Sequence, residues 1–271
     1  MLGAIIGDIV GSVYEFDNIK TKEFDLFKDS CFFTDDTVMT CAVALALAEY
    51  MESGKNTDVH AALIREMRRL GRLYPDAGYG GRFAVWLLNG HSRPYNSFGN
   101  GSAMRVSPAA WLAGSLEEAE ELARLSAEVT HDHPEGIKGA QATAAAIFLA
   151  RQQLPLPDIR AYLQQKYYNL DFTLDEIRDS YRFDETCQRT VPQAIVAFLE
   201  STGFEDAIRN AISIGGDSDT LAAITGSIAE AYYGVPQKME EKALSYLDGV
   251  LLGIYRAFRQ AICATPRRPT R

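Results

Sequence analysis

The sequence predicts an all-α fold, a single compact orthogonal multi-helix domain with a central two-metal cleft. Apolar residues recur at helical spacing along most of the chain, and the alternation typical of β-strands is almost absent. No internal repeat and no linker-like change of composition divides the 271 residues. That length allows a sizeable core, and 47% hydrophobic with 23% charged residues is ordinary for a globular protein. We therefore expect one domain over residues 1–263 and a flexible tail over 264–271.

The first predicted helix covers residues 3–13 and carries glycines one turn apart, at Gly3, Gly7 and Gly11. A stripe of small residues at this spacing indicates close packing against another helix. Residues 14–33 show no clear period and are predicted to form a loop that is functional or mobile, because long loops are unusual inside compact domains. The next predicted helices cover residues 36–53, 57–72, 82–89, 102–113 and 116–130.

The C-terminal half continues the helical pattern. Residues 167–184 are ambiguous, and the basic tail from Pro266 to Arg271 is expected to fray. The predicted helices cover residues 136–153, 158–166, 187–201, 204–213, 217–233 and 238–262.

Composition excludes several classes of function and favours a cytoplasmic protein. A net charge of −9 and a pI near 5.0 oppose nonspecific attraction to nucleic acid or anionic membranes. No apolar run reaches the ~18 residues that span a bilayer, and Asp8 interrupts an N-terminus that lacks the basic start of a secretory signal. The four cysteines show no disulfide or zinc spacing.

Two oxygen-rich motifs each open an apolar helix. They are Thr34-Asp35-Asp36-Thr37 and Gly215-Gly216-Asp217-Ser218-Asp219-Thr220. Either motif alone is explained by helix capping, because Asp and Thr are frequent N-caps. Two such motifs together suggest a two-metal site, since Mg²⁺ takes oxygen ligands and four carboxylates offset the charge of two ions. Without metal the carboxylates would repel one another and some would hold protons.

Five motifs, in this order, resemble those of the ADP-ribosylglycohydrolase family. The resemblance runs from residue 3 to about residue 234, with no departure at the metal-binding positions. The motifs are Gly7-Asp8-x-x-Gly11 with Glu15, Thr34-Asp35-Asp36-Thr37, Gly99-Asn100-Gly101-x-x-Met104-Arg105, Thr130-His131 and Gly215-Gly216-Asp217-x-Asp219-Thr220.

This resemblance implies an enzyme that encloses two Mg²⁺ ions, for which Mn²⁺ can substitute. Glu15 would lie on a mobile flap over the site. The residues that would hold the metals are Thr34, Asp35, Asp36, Asp217, Asp219 and Thr220. The residues that would line the ADP-ribose cleft are Gly99, Asn100, Gly101, Ser102 and His131.

The implied reaction is hydrolysis of the glycosidic bond between ADP-ribose and an acceptor, which releases ADP-ribose. Such cleavage passes through an oxocarbenium-like state. Metal ions would orient the ribose hydroxyls and make a bound water more acidic. A carboxylate near the leaving atom could supply acid–base catalysis, and the sequence leaves open whether it is Glu15 or an aspartate such as Asp36 or Asp217.

Other functions remain open at this stage. A catalytically inactive ADP-ribose-binding or structural relative would keep the fold, although it has no evident use for four converging carboxylates. A helical terpenoid synthase is disfavoured, because Asp35-Asp36 is not followed by the Asp-Asp-x-x-Asp pattern. The acceptor is equally open among arginine, serine, O-acetyl-ADP-ribose and nucleic-acid conjugates, and would contact loops such as 14–33 and 73–81. A monomer is the default expectation.

Overall fold

Helices form nearly all the regular structure of the computed structural model, which describes residues 1–90 and 93–264. No β-strand lies in those ranges, where one isolated bridge joins Gly99 to Thr186. None of the helices within them is long and apolar enough to cross a membrane. The helices up to residue 151 are α1 (Leu2–Gly11), α2 (Asp35–Glu52), α3 (Val59–Leu73), α4 (Gly81–Leu88), α5 (Gly101–Met104), α6 (Ser107–Leu112), α7 (Leu116–Glu128) and α8 (Pro134–Arg151). Those that follow are α9 (Leu156–Lys166), α10 (Leu174–Ile177), α11 (Cys187–Leu199), α12 (Phe204–Ser213), α13 (Ser218–Tyr233), α14 (Gln237–Leu244) and α15 (Gly249–Ala264). The all-α prediction is confirmed.

Helix α13 is the centre of the molecule. Every residue from Ser218 to Ala229 is buried, as expected of a helix that is apolar or small on all sides. Helices α1, α8, α11 and α12 pack around it. The start of α13 therefore lies inside the fold, together with the second acidic motif.

The glycine stripe of α1 lies directly on α13. A Cβ added to Gly3 would overlap the backbone of Gly226, and one added to Gly7 would overlap the backbone of Ala222. At Gly11 an added Cβ would meet the Cα of Asp219. The two helices are in backbone contact along their length, and this contact fixes α1 against the start of α13.

Two predicted helices are wrong, because each is interrupted. Residues 102–113 form α5 and α6, which meet at Arg105 and Val106. Pro108 lies in the first turn of α6, where its missing N–H is harmless, whereas a continuous helix would need that donor. Residues 238–262 form α14 and α15, because Asp248 Oδ1 accepts from the N–H groups of Val250 and Leu251 and starts a new helix.

The remaining boundaries agree with the predictions within about two residues. The ambiguous stretch 167–184 contains one short helix, α10, whose capping box pairs Thr173 with Glu176. The predicted tail lies outside the described residues, apart from Ala264 at the end of α15.

Candidate metal and ligand cleft

The start of α2 is held by a buried carboxylate from α1. Asp8 is completely buried and accepts hydrogen bonds from the N–H and hydroxyl of Thr34 and from the N–H and hydroxyl of Thr37. Thr34 is also the N-cap of α2, and its hydroxyl accepts from the Asp36 N–H at 3.3 Å. These contacts fix the direction in which the Asp35 and Asp36 side chains leave the helix.

The start of α13 is held by a tight glycine turn and an asparagine. Gly215 and Gly216 have φ values of 64° and 82°, in the left-handed region that glycine adopts without strain. Asn18 binds both polar groups of Gly216: its Nδ2 donates to the carbonyl at 2.8 Å, and its Oδ1 accepts from the N–H at 2.7 Å. The same Nδ2 donates to the Glu15 carbonyl at 2.9 Å. The segment that carries Glu15 is thereby attached to the turn before Asp217.

The two acidic motifs converge on one cleft. The Thr220 hydroxyl donates to Asp36 Oδ2 at 3.2 Å, which joins α13 directly to α2. Carboxylate oxygens of Glu15, Asp217 and Asp219 all lie within 4.8 Å of one another. Together with Asp35 and Asp36 they line a cleft of about 250 Å³.

The carboxylates in this cleft hold protons tightly when no cation is present. Burial, and then the neighbouring negative charges of Asp219 and Asp8, raise the pKa of Glu15 to about 8. Burial also raises the pKa of Asp217 to about 6, although the hydrogen bonds it accepts oppose this shift. Burial, and then the charge of Asp219, raise the pKa of Asp36 well above the ordinary range. Burial, and then the charge of Asp217, raise the pKa of Asp219 in the same way. A group of acids that raise one another's pKa is suited to binding cations.

The donor set fits hard divalent cations. Asp36 Oδ1 is buried and has no hydrogen-bond partner within the described residues. A buried carboxylate oxygen without a partner is costly, and a cation would satisfy it. The ligands within reach are oxygens, as Mg²⁺ prefers.

A second set of residues, which we call the glycine wall, lines the same cleft. They are Gly99, Asn100, Gly101 and His131. Asn100 connects this wall to the acidic side, because its Nδ2 donates to Asp217 Oδ2 at 2.6 Å and to the Thr190 hydroxyl at 3.1 Å.

Two of the predicted site residues lie behind the cleft surface. The Ser102 hydroxyl is buried and donates to the Gly136 carbonyl at 2.7 Å. Thr34 is engaged with Asp8 and Asp36 as described above. The backbone N–H of Gly99 donates to Ser97 Oγ, and that of Asn100 donates to the Glu185 carbonyl. The amides of Gly101 and Ser102, in the first turn of α5, have no acceptor within that helix.

Several residues that position this site are not among the predicted site residues. Asp8 is the clearest case, and an ionisable residue inside the apolar run of α1 was the signal that could have identified it. Arg105 is a second case: it follows the Gly99–Gly101 motif, is fully buried, and lines the cleft. Asn18 gave no sequence signal, because an exposed asparagine in an irregular segment is unremarkable.

Comparisons with known proteins show the family and the fold of the chain. The family model described as ADP-ribosylglycohydrolase matches residues 1–262. ADP-ribosylhydrolase ARH3 of Homo sapiens is 27% identical, covering 96% of this chain and 93% of its own. ADP-ribosylarginine hydrolase Tri1 of Pseudomonas putida (strain GB-1) is 31% identical, covering 90% of this chain and 73% of its own.

A solved structure supports the same fold. The protein described as "ADP-ribosylglycohydrolase-related protein complex" superposes with a TM-score of 0.68 at 23% identity, covering 96% of this chain and 95% of that one. At this identity the likeness concerns the fold. The match of the family model over residues 1–262 confirms the resemblance predicted from the five motifs, and the chain belongs to the ADP-ribosylglycohydrolase family of enzymes.

Proposed function

We propose that this protein is a Mg²⁺-dependent hydrolase that cleaves the glycosidic bond between ADP-ribose and an acceptor, and so releases ADP-ribose. The observation that carries the proposal is the meeting of two acidic helix starts in one cleft, where Asp36 Oδ1 has no protein partner among the described residues. The same cleft is lined by Gly99, Asn100 and Gly101 of the glycine wall, which carry no negative charge and can accommodate an anionic ligand.

Two Mg²⁺ ions, or Mn²⁺ in their place, would be held by oxygens from both helix starts. Asp35 and Asp36 would act from α2, and Asp217, Asp219 and Thr220 from α13. The Thr34 hydroxyl already donates to one group and accepts from another, so it has less capacity for a cation than Thr220. Bound Mg²⁺ would supply positive charge that orients the ribose hydroxyls and acidifies the attacking water.

Glu15 is the residue we assign to proton transfer. In the metal-free protein burial, and then the charges of Asp219 and Asp8, raise its pKa to about 8. Burial favours the protonated carboxyl with or without cations, whereas the contribution of the aspartate charges falls when cations bind them. A protonated acid at the cleft can pass its proton to the leaving atom as the glycosidic bond breaks, and the resulting carboxylate can accept one from water. Asp217 is less suited to this role, because Asn100 already donates to its Oδ2.

The diphosphate of ADP-ribose would lie along the glycine wall. Gly101 and Ser102 offer backbone N–H groups there, and His131 closes the same side. The side chain of Ser102 would not contribute, because its hydroxyl binds Gly136. The acceptor would extend from the other end, past Glu15, toward segments 14–33 and 73–81.

A panel of defined substrates tests the proposal. The panel contains ADP-ribose linked to arginine, to serine, to acetate and to a nucleic-acid end, assayed for released ADP-ribose with Mg²⁺ and with EDTA. We expect ADP-ribose to be released from at least one substrate. This release should stop in EDTA and return when Mg²⁺ or Mn²⁺ is added back. One relative is named for ADP-ribosylarginine, which makes that linkage the first to examine.

Asp217→Ala and the control Asp171→Ala separate the metal site from surface charge. Changing outer partners of a metal site costs about 10- to 100-fold in activity or affinity, so loss of the Asp217 ligand should cost at least about 100-fold. Asp171 is exposed, and its variant should turn over normally. Full activity in EDTA or in Asp217→Ala contradicts the two-metal site. Tight ADP-ribose binding with no turnover of any substrate would favour the inactive binding relative instead.

A further inference from the structure

Arg105 is a buried cation in the lining of the cleft. It is 1% exposed, and no acidic side chain forms an ion pair with it in the described ranges. Its Nη2 donates to the Ser126 carbonyl at 3.0 Å and to the Thr130 hydroxyl at 2.8 Å. A guanidinium can only donate, so the Thr130 oxygen must accept from it.

The Thr130 hydroxyl is thereby constrained in its second contact. Thr130 is completely buried, and its Oγ1 lies 2.7 Å from His131 Nδ1. A hydroxyl has one proton to donate. If Nδ1 carried the ring proton, the Thr130 proton would have no acceptor among the described hydrogen bonds, and a buried donor without an acceptor is costly. The consistent arrangement is donation from Arg105 to Thr130 and from Thr130 to Nδ1.

This arrangement places the ring proton of His131 on the nitrogen that faces the cleft. A Cβ built on Gly101 would lie 3.3 Å from Nε2, and one on Gly99 would lie 3.6 Å away. Nε2 therefore lies against the glycine wall. The ring is also kept neutral, because burial and the charges of Arg105 and Arg82 hold the pKa of His131 well below its usual value.

We propose that Arg105 and Thr130 form a relay that fixes His131 as a neutral Nε2–H donor to an oxygen of the bound ligand. Arg105 and Thr130 are positioning residues, since they act through His131. The identity of the ligand rests on the proposed function, and in ADP-ribose the diphosphate offers the strongest oxygen acceptors. A histidine held as a donor favours such an acceptor over a ligand that presents an N–H at the same place.

The protonation of His131 can be observed directly, without a ligand. The chain has four histidines, so ¹⁵N-histidine labelling gives few ring signals, and those of His131 are assigned by their absence in His131→Gln. We expect a protonated Nε2 and an unprotonated, hydrogen-bonded Nδ1 that do not change between pH 8 and pH 6. In Thr130→Val the Nδ1 signal should lose the shift caused by the hydrogen bond. A wild-type ring protonated on Nδ1, or on both nitrogens at pH 7, would overturn the relay.

Binding measurements add the functional consequence. Thr130→Val should weaken ADP-ribose binding about tenfold, as for one lost hydrogen bond to a charged group, and Thr130→Ser should stay within about twofold of wild type. Thr143→Val is the matched control, because it removes a fully buried threonine hydroxyl that has no partner in the described residues, and its affinity should not change.

Two results would contradict the relay: wild-type affinity in Thr130→Val, or equal weakening in Thr130→Ser, which would make the side-chain shape decisive. If even the wild type does not bind ADP-ribose, the proposed function fails, and the ring spectra still decide the protonation of His131.

Discussion

The two acidic helix starts supply similar ligands but are positioned in opposite ways. The start of α2 is fixed from the interior. Asp8 is completely buried and accepts from the N–H and the hydroxyl of both Thr34 and Thr37. The start of α13 is also buried and lies against α1 at Gly11, but the glycine turn before it is held by Asn18, which is exposed and binds Gly216. One side of the cleft therefore belongs to the core, and the other depends on a segment that solvent can reach.

This difference has a consequence for movement. Moving the segment that Asn18 holds requires breaking a few exposed or part-buried hydrogen bonds, each with a net worth of about 1 kcal/mol. Opening the interior side would expose Asp8 and separate α1 from α2. Glu15 lies on the surface side, in the segment that Asn18 holds. The flap expected from the family resemblance would thus move with Glu15, while Asp35 and Asp36 stay fixed.

The largest effect on stability should come from a change at Gly7. This residue lies in α1, which packs on α13 and also carries Asp8, the carboxylate that holds the start of α2. Gly7→Ala would drive a Cβ into the backbone of Ala222, which cannot move without displacing α13. We expect a loss of about 3 kcal/mol of unfolding free energy, at the upper end of overpacking effects, measured by urea denaturation.

Gly253→Ala is the control for this change. Gly253 lies in α15, and nothing would stand within 4 Å of its added Cβ. Alanine should stabilise that helix by about 0.5–1 kcal/mol. If both variants shift stability equally, the α1–α13 contact does not have the importance we give it.

Asp8→Asn should have the next largest effect and should act on the interior side. Asp8 Oδ2 accepts from the backbone N–H groups of Thr34 and Thr37, and Oδ1 accepts from the Thr34 hydroxyl and, at 3.2 Å, from the Thr34 N–H. An amide NH₂ would face at least one of these donors, and leaving a buried donor without an acceptor costs about 1–3 kcal/mol. Chemical denaturation measures the loss.

Asp58→Asn offers a matched comparison at an exposed site. Asp58 caps α3 by accepting from the Ala61 N–H, and asparagine caps as well as aspartate, so stability should scarcely change. A neutral result for Asp8→Asn as well would show that the α2 motif is positioned by its own capping alone.

The sequence was sufficient for most of the helices, because helices follow from local patterns. Helical periodicity located α1 and α13, and the acidic motifs identified Asp36 and Asp217. It was insufficient at the breaks in 102–113 and 238–262, where one cap or proline outweighed a continuous apolar pattern. It also could not identify Asn18, whose partner Gly216 is 198 positions away. Such contacts depend on the tertiary fold.

The metal-free protein should lose stability as pH rises. The folded-state pKa values of Asp217 and Glu15, about 6 and about 8, are raised above the ordinary 3.8 and 4.5. The folded state therefore binds these protons more tightly than the unfolded chain, and their contribution to stability disappears as pH rises through the raised values. In EDTA the melting temperature should fall between pH 5 and pH 8.5.

Mg²⁺ and Asp217→Asn test the cause of this dependence. Since Mg²⁺ competes with the same protons, the gain in melting temperature on adding Mg²⁺ should grow with pH. In EDTA, Asp217→Asn should make the melting temperature depend less on pH below about pH 6. A gain from Mg²⁺ that is constant across this range would place the ion away from these carboxylates.

Asn18→Ala should have the smallest effect on stability and a selective effect on turnover. The side chain is exposed, so the loss should be about 1 kcal/mol. Glu15 would lose its attachment to Gly216, and small displacements of a catalytic group can cost up to about 100-fold in rate. We expect kcat to fall about tenfold on a true substrate, with ADP-ribose affinity nearly unchanged. Asn56→Ala, which removes an exposed asparagine that binds only its own loop at Ser53, should leave both unchanged.

The double variant decides whether Asn18 acts through Glu15. Glu15→Gln keeps the shape of the side chain and removes its acid–base function, so its kcat should already be low. If Asn18 serves to place that carboxyl, adding Asn18→Ala should lower kcat little further, because the two residues act as one unit. If the two reductions multiply instead, Asn18 positions the Asp217 side of the cleft independently of Glu15. In either case, a wild-type kcat for Asn18→Ala would show that the hydrogen bonds from Asn18 to Glu15 and Gly216 are not needed for turnover. The two helix starts would then differ only in the burial of the residues that hold them.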